Sequence, residues 1–226
     1  MEEAVRETRA QSRAGIRQRS PVERPDKRAL ILESAIKVFA EHGYHGSRIS
    51  DIAREAGIAY GLVYHYFKNK DEILATIFEE RWNGFLDALE GVRKSAGSTR
   101  DKLVSVAALI LNAYRIRPDW VKVLVLEIQR SSRFQEPGQI RAVEDLFEGM
   151  ELILREGQER GELRREVDLR LACTMFIGAL ELVITSLVLG VTRIDGDDEA
   201  QRAYYLKAAK TVVEIFLQGS GAEGVA

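Results

Sequence analysis

The sequence predicts an all-α protein of about nine helices, a small N-terminal three-helix head followed by a larger helical body. Three observations predict it. Apolar residues recur three and four apart along most of the chain, and no stretch alternates apolar and polar residues as a half-buried strand does. Gly43, Gly57, Gly161 and Gly190 stand at the ends of these stripes, and Pro118 and Pro137 at the starts of two of them. The stretch from Ser47 to Phe67 reads as two short helices joined at Gly57.

Residues 1–25 are rich in Arg, Glu, Gln and Ser, lack an apolar period, and are expected to form a basic flexible arm. Asp26 caps the first helix, whose stripe is Leu30, Ile31, Ala35, Val38 and Phe39, ending at Gly43. Ser47 is the expected cap of the second, with Ile49, Ile52, Ala53 and Ala56 on its inner face. Only glycine enters the left-handed conformation without a Cβ penalty, so Gly57 ends that helix. In the next, Val63 and Phe67 face inward, and Tyr60, Gly61, Tyr64 and His65 fall on the opposite side. Tyr, Gly, Tyr and His suit a polar contact better than a core. Such a pair is a helix-turn-helix, whose second helix enters the DNA major groove.

Asn69 or Lys70 caps a long helix over about 71–94, with Asp71 and Glu72 in its first turn against the helix dipole. Helices follow over about 100–116, from Pro118, from Pro137 to about Arg160, over about 168–190, and over about 199–218. The expected organisation is an arm at 1–25, a helix-turn-helix DNA-binding domain at 26–70, a larger helical body at 71–218, and a flexible tail at 219–226.

Of the 226 residues, 46% are hydrophobic and 30% charged, as in folded globular chains. The net charge of −2 is unevenly spread. Arg9, Arg13, Arg17, Arg19, Arg24, Lys27 and Arg28 meet only Glu23 and Asp26 as acids between positions 9 and 28, and Arg48, Arg54, Lys68 and Lys70 surround the helix pair. A basic head on a neutral-to-acidic body fits nucleic acid, and a solvated charged tail would look alike over the first residues. The single Cys173 excludes an internal disulfide and a cysteine zinc site. The charged N-terminus has no apolar run like that of a signal peptide, and the expected location is the cytoplasm. His42 and His45 straddle Gly43 with no third ligand near, so no metal is expected. No Gly-rich phosphate loop or catalytic triad is visible; no enzyme activity and no cofactor are expected.

The segments A-x-x-x-F-A-E-x-G-Y from Ala35, I-x-D-I-A-x-x-A-G from Ile49 and Y-x-Y-F-K-N-K-D from Tyr64 follow in order. Over residues 28–82, about a quarter of the chain, they closely resemble the N-terminal domain of the TetR family of transcriptional regulators. The resemblance implies a homodimer that reads palindromic double-stranded DNA, with residues 71–218 as a ligand-binding and dimerisation domain for a small effector. Carried over position by position, it makes Ser47, Arg48, Ala59, Tyr60, Gly61, Tyr64, His65 and Lys70 the DNA-facing set. Tyr60 and Leu62 depart from the common pattern, where lysine and threonine or serine are frequent. The body resembles, more weakly, regulators of fatty-acid degradation that sense acyl-CoA. Its ligand candidates are Tyr114, Trp120, Leu124, Phe134, Phe147, Met150, Met175 and Phe176, which at helical spacing also read as plain core. Arg115, Arg117, Arg130, Arg133 and Arg141 are candidates for a basic mouth.

The run Leu171–Val191 is long enough to span a bilayer, but Glu181 at its centre argues for a buried interface helix instead. With the last helix it is expected to form the dimer interface, where Glu181 either pairs across the two-fold or faces a cavity. The sequence thus predicts a repressor released from its operator by an apolar or amphipathic effector. The alternative is a helical lipid- or ligand-binding protein with a non-functional head.

Overall fold

The computed structural model describes residues 26–128 and 137–220. The predicted arm, Arg130, Arg133, Phe134 and the last residues of the predicted tail lie outside them. The described residues form nine α-helices and no strand. The head holds α1 (Lys27–Gly46), α2 (Ile49–Glu55) and α3 (Tyr60–Tyr66). α4 (Lys70–Lys94) leaves it for a body of α5 (Thr99–Ile116), α6 (Pro118–Ile128), α7 (Pro137–Glu159), α8 (Leu169–Val188) and α9 (Asp198–Ser220). The last helix continues through Gly219 and Ser220, which the sequence assigns to the tail.

Local chemistry sets most ends. Asp26 accepts the Arg28 N–H at 2.9 Å, and Asn69 accepts that of Glu72 at 2.8 Å. Ser98 and Asp101 exchange hydrogen bonds in a capping box. Gly43, at φ 69°, breaks α1 and turns Tyr44 back into the core, its ring 5.4 Å from Phe39. Gly57, at φ 61°, closes α2: its N–H bonds to Arg54 O and that of Ile58 to Ala53 O, the paired bonds of a Schellman stop.

One structural cap differs from expectation. Ser47 does not cap α2; it is buried, with its hydroxyl 2.6 Å from Gly43 O. Arg48 holds the cap position, its N–H donating to Asp51 Oδ2 at 3.0 Å. The Asp51 carboxylate holds the backbone N–H of the cap residue, and the Asp51 N–H turns back to Arg48 O at 3.0 Å.

The core is continuous from head to body. Ile73, Leu74 and Ile77 of α4 are buried with Ile31, Phe39, Ile52 and Val63, and Leu89 further along is buried with Leu103, Met150 and Ile153. α1 packs on α6 as well as on α2 and α4, and α9 lies along α5 and α8. Phe78 meets Trp120 edge-on at 4.8 Å. Polar links run the same way: Arg28 pairs with Glu80 at 2.5 Å, and Glu33 takes Arg81 and, at 3.2 Å, Arg117.

α8 is long and apolar enough to cross a membrane by length and composition. Its inner face, Cys173, Phe176, Leu180 and Ile184, is packed into the body. The outer face stays apolar yet uncovered: Leu171, Met175, Leu182 and Leu189 are 58–69% exposed, and Leu206 and Ile215 on α9 are also bare. Four residues at helical spacing on one side make this a contiguous stripe.

Candidate nucleic-acid interface

The third helix is short, and its burial is one-sided. Val63 is fully buried and Phe67 nearly so, which pins α3 against the head. Ala59, Tyr60, Gly61, Tyr64 and His65 are all exposed, as the sequence places them. Nothing lies within 4 Å of the Cβ position at Gly61, so a flat partner can approach the backbone there. Tyr60 and Tyr64, 54% and 45% exposed, stack edge-to-face at 5.2 Å with hydroxyls 3.0 Å apart. That hydrogen bond is the largest cause of a raised Tyr64 pKa. His65 meets the exposed Tyr66 edge-on at 5.3 Å. Arg48 is exposed beside this face, and Arg54 pairs with Asp51 at 2.9 Å.

The structure separates Ser47 and Lys70 from this surface group. Ser47 is 3% exposed and spends its hydroxyl on α1. Lys70 is partly buried: its ammonium lies 2.5 Å from Tyr44 O, 2.8 Å from Ser47 O and 4.2 Å from the Tyr44 ring centroid. Tyr44 in turn donates to Asp71 Oδ1 at 2.7 Å. Lys70 and Asp71 thereby tie the start of α4 to the α1–α2 corner, a role whose partners are remote in sequence. A Lys70→Met protein is expected to lose about 2 kcal/mol of stability, from charged hydrogen bonds to carbonyls that become unsatisfied. The slope of log affinity for DNA against log salt should change little, since that ammonium already has protein partners. Urea melts and salt titrations measure the two; a reduced slope with unchanged stability would return Lys70 to the phosphate contacts.

The ligand candidates do not converge. Trp120 and Met150 are buried in packed core, and Tyr114, Leu124 and Phe147 are partly buried, with the Arg170 guanidinium 4.3 Å above the Phe147 ring. Burial pushes the Tyr114 phenol up. Met175 is 65% exposed on the outer face of α8 while its neighbour Phe176 is 1% exposed, because successive helical residues point about 100° apart. Both border an open apolar groove of about 430 Å³ between α8 and α9, shared with Leu171, Ile215 and Phe216. Of the mouth candidates, Arg115 pairs with Asp198 at 2.6 Å within the body, and Arg117 pairs with Glu33 across the head–body contact. Sequence reasoning assigns no role to Glu33 or Lys102, and it reads Tyr44 only as the last residue of the A-x-x-x-F-A-E-x-G-Y segment.

Comparison with known proteins bears on what this geometry serves. The family model described as "Bacterial regulatory proteins, tetR family" matches residues 31–77, the head and the start of α4. A second, "YsiA-like protein, C-terminal region", matches residues 78–209, more than half of the chain. The chain belongs to the TetR family. Among its relatives in that family, the fatty acid metabolism regulator protein of Bacillus subtilis (strain 168) is 31% identical over 165 residues, 73% of this chain and 85% of the relative. The fatty acid degradation regulator FadR from Bacillus halodurans superposes with a TM-score of 0.76 at 28% identity, covering 87% of this chain and 97% of that one. FadR from Bacillus subtilis, solved in complex with stearoyl-CoA, gives 0.74 at 28% identity over 84% and 98%. This TetR-family chain is therefore a DNA-binding transcriptional regulator.

Proposed function

We propose that the protein is a homodimeric cytoplasmic repressor, released from a palindromic operator when an apolar or amphipathic effector binds its body. An acyl-CoA is the first candidate. The observation that carries the reading is the presence of two uncovered surfaces on one chain: the exposed tyrosine face of α3, and the bare apolar stripe of α8 and α9. A two-fold through α8 and α9 covers the stripe and sets two recognition helices on one duplex, about one helical turn apart. Support for the acyl-CoA comes from the FadR relative solved with stearoyl-CoA. α4 and the α1–α6 contact provide the coupling, since both run from the head into the body. An effector shifts the heads only by binding the released conformer better than the DNA-bound one.

The test is binding to the duplex flanking the protein's own gene, at several salt concentrations, with stearoyl-CoA, stearate or coenzyme A added. The wild type should bind a specific site, with affinity falling steeply as salt rises. Tyr60→Ala with Tyr64→Ala should weaken that binding by about a hundredfold, the loss of several base and phosphate contacts in each half-site. Stearoyl-CoA should release the DNA. Sequence-independent binding, or a double variant that binds like the wild type, would sink the assignment of α3. Release by none of the three ligands would remove the acyl-CoA and leave the DNA reading in place. Binding of stearoyl-CoA without any specific duplex would favour a ligand-binding protein with a non-functional head.

A further inference from the structure

We infer that Tyr60 is a positioning residue for DNA binding, its hydroxyl holding the hydroxyl of Tyr64 as a proton donor to a DNA phosphate. The two phenols sit four residues apart on α3, oxygens 3.0 Å apart and rings at 73°. Neither oxygen needs the other for solvation, because both side chains are well exposed. The contact is therefore a surface arrangement and not a means of satisfying buried groups.

Each phenol has one proton to give. If Tyr64 donates to Tyr60, it presents only lone pairs outward, and a phosphate oxygen, itself an acceptor, is repelled. If Tyr60 donates to Tyr64, the Tyr64 proton is left for the phosphate. A phosphate seated at the Tyr64 oxygen selects the second arrangement, in which both O–H dipoles point the same way and strengthen one another. The edge-to-face contact also restricts the rotamers of Tyr64 before DNA arrives, which lowers the ordering cost of binding. Tyr60 acts through Tyr64 in this scheme, and the inference rests on α3 being the DNA-facing surface.

The test is a double-mutant cycle with Tyr60→Phe and Tyr64→Phe, on a duplex enriched by the wild type from a randomised pool. Phenylalanine keeps both rings, so a loss reports the hydroxyls alone. Each single variant should bind about 25-fold more weakly, the worth of one net hydrogen bond of about fivefold in each of the two half-sites. The double variant should be no weaker than Tyr64→Phe alone. Plots of affinity against salt should stay parallel, since no charge is removed, and melting temperatures should not move. Wild-type affinity in Tyr60→Phe, or losses that multiply in the double variant, would overturn the coupling while leaving α3 as the DNA surface. A pool from which the wild type enriches no duplex would overturn both.

Discussion

A chain carrying Met175→Glu and Leu182→Glu together is expected to sediment as a 25.4 kDa monomer and to bind its operator about a hundredfold or more weakly. Both side chains are more than three-fifths exposed in the single chain, so the substitutions should leave its own fold and melting curve unchanged. Their effect falls on association. Leu171, Met175, Leu182 and Leu189 run along one side of α8, and Leu206 and Ile215 extend the apolar area on α9. Burying one such side chain contributes roughly 1.5–3 kcal/mol before the entropy of association is subtracted. Two carboxylates in the stripe remove part of that gain and add the cost of desolvating charge without a partner. The loss on DNA follows from valency: a monomer engages one half-site, and the second contact is no longer intramolecular. Sedimentation and operator titration on one preparation check both halves. A dimer that survives the pair would place the two-fold elsewhere.

The helices were legible because their punctuation is local. Asp26, Asn69 and Asp168 each cap through a carboxylate or amide that the sequence displays, and Gly57 stops a helix because of its own backbone freedom. The exposed set on α3 was legible for a related reason. In a short helix, burying Val63 and Phe67 fixes the direction of every other residue. Where local rules compete, the sequence misleads. Ser47 and Arg48 are adjacent, and serine is the better cap in isolation, yet Asp51 is spaced to serve Arg48.

Partners distant in sequence leave no such trace. Lys70 finds carbonyls at positions 44 and 47, and Arg117 finds Glu33 across the head–body contact, so a cation near a helix start or an apolar pocket reads the same whether paired or free. Which of the ligand candidates line a site is not legible in the sequence for a third reason. Apolar character marks a residue as core-forming, but whether neighbours fill the space around Trp120 or leave a cavity depends on packing, to which a periodicity pattern is blind.

The second large effect concerns a cation that no sequence motif marks. Lys102 is 3% exposed at the start of α5, donating to Glu156 Oε2 at 2.8 Å and to Arg93 O at 2.7 Å. Arg93 reaches the other Glu156 oxygen at 3.2 Å and grips Glu90 through two nitrogens at 2.6 and 2.8 Å. Three helices, α4, α5 and α7, are joined at this point. Close by, the Cβ position at Gly157 lies 2.6 Å from the Thr99 hydroxyl, so α7 approaches α5 where only glycine fits. Lys102→Met keeps the aliphatic stem and deletes the ammonium, leaving Glu156 and the Arg93 carbonyl each short of a donor. The expected loss is about 2–3 kcal/mol in urea unfolding, with an unchanged m-value. The acid limb provides an independent check. Hydrogen bonds from Arg93 and then Lys94 hold Glu90 down at about 2, and Lys102 is the first cause of a lowered Glu156. Both carboxyls have folded pKa values below their unfolded ones, so in acid the unfolded chain binds more protons. Their contribution is present above the ordinary glutamate value of 4.5 and is lost as pH falls from there toward about 2. Without the Lys102 ammonium the Glu156 pKa rises toward its ordinary value, and the Lys102→Met protein should lose less stability over that interval than the wild type. Unfolding curves from pH 7 to pH 2 measure this, and parallel pH profiles for the two proteins would show that Lys102 does not hold the Glu156 charge.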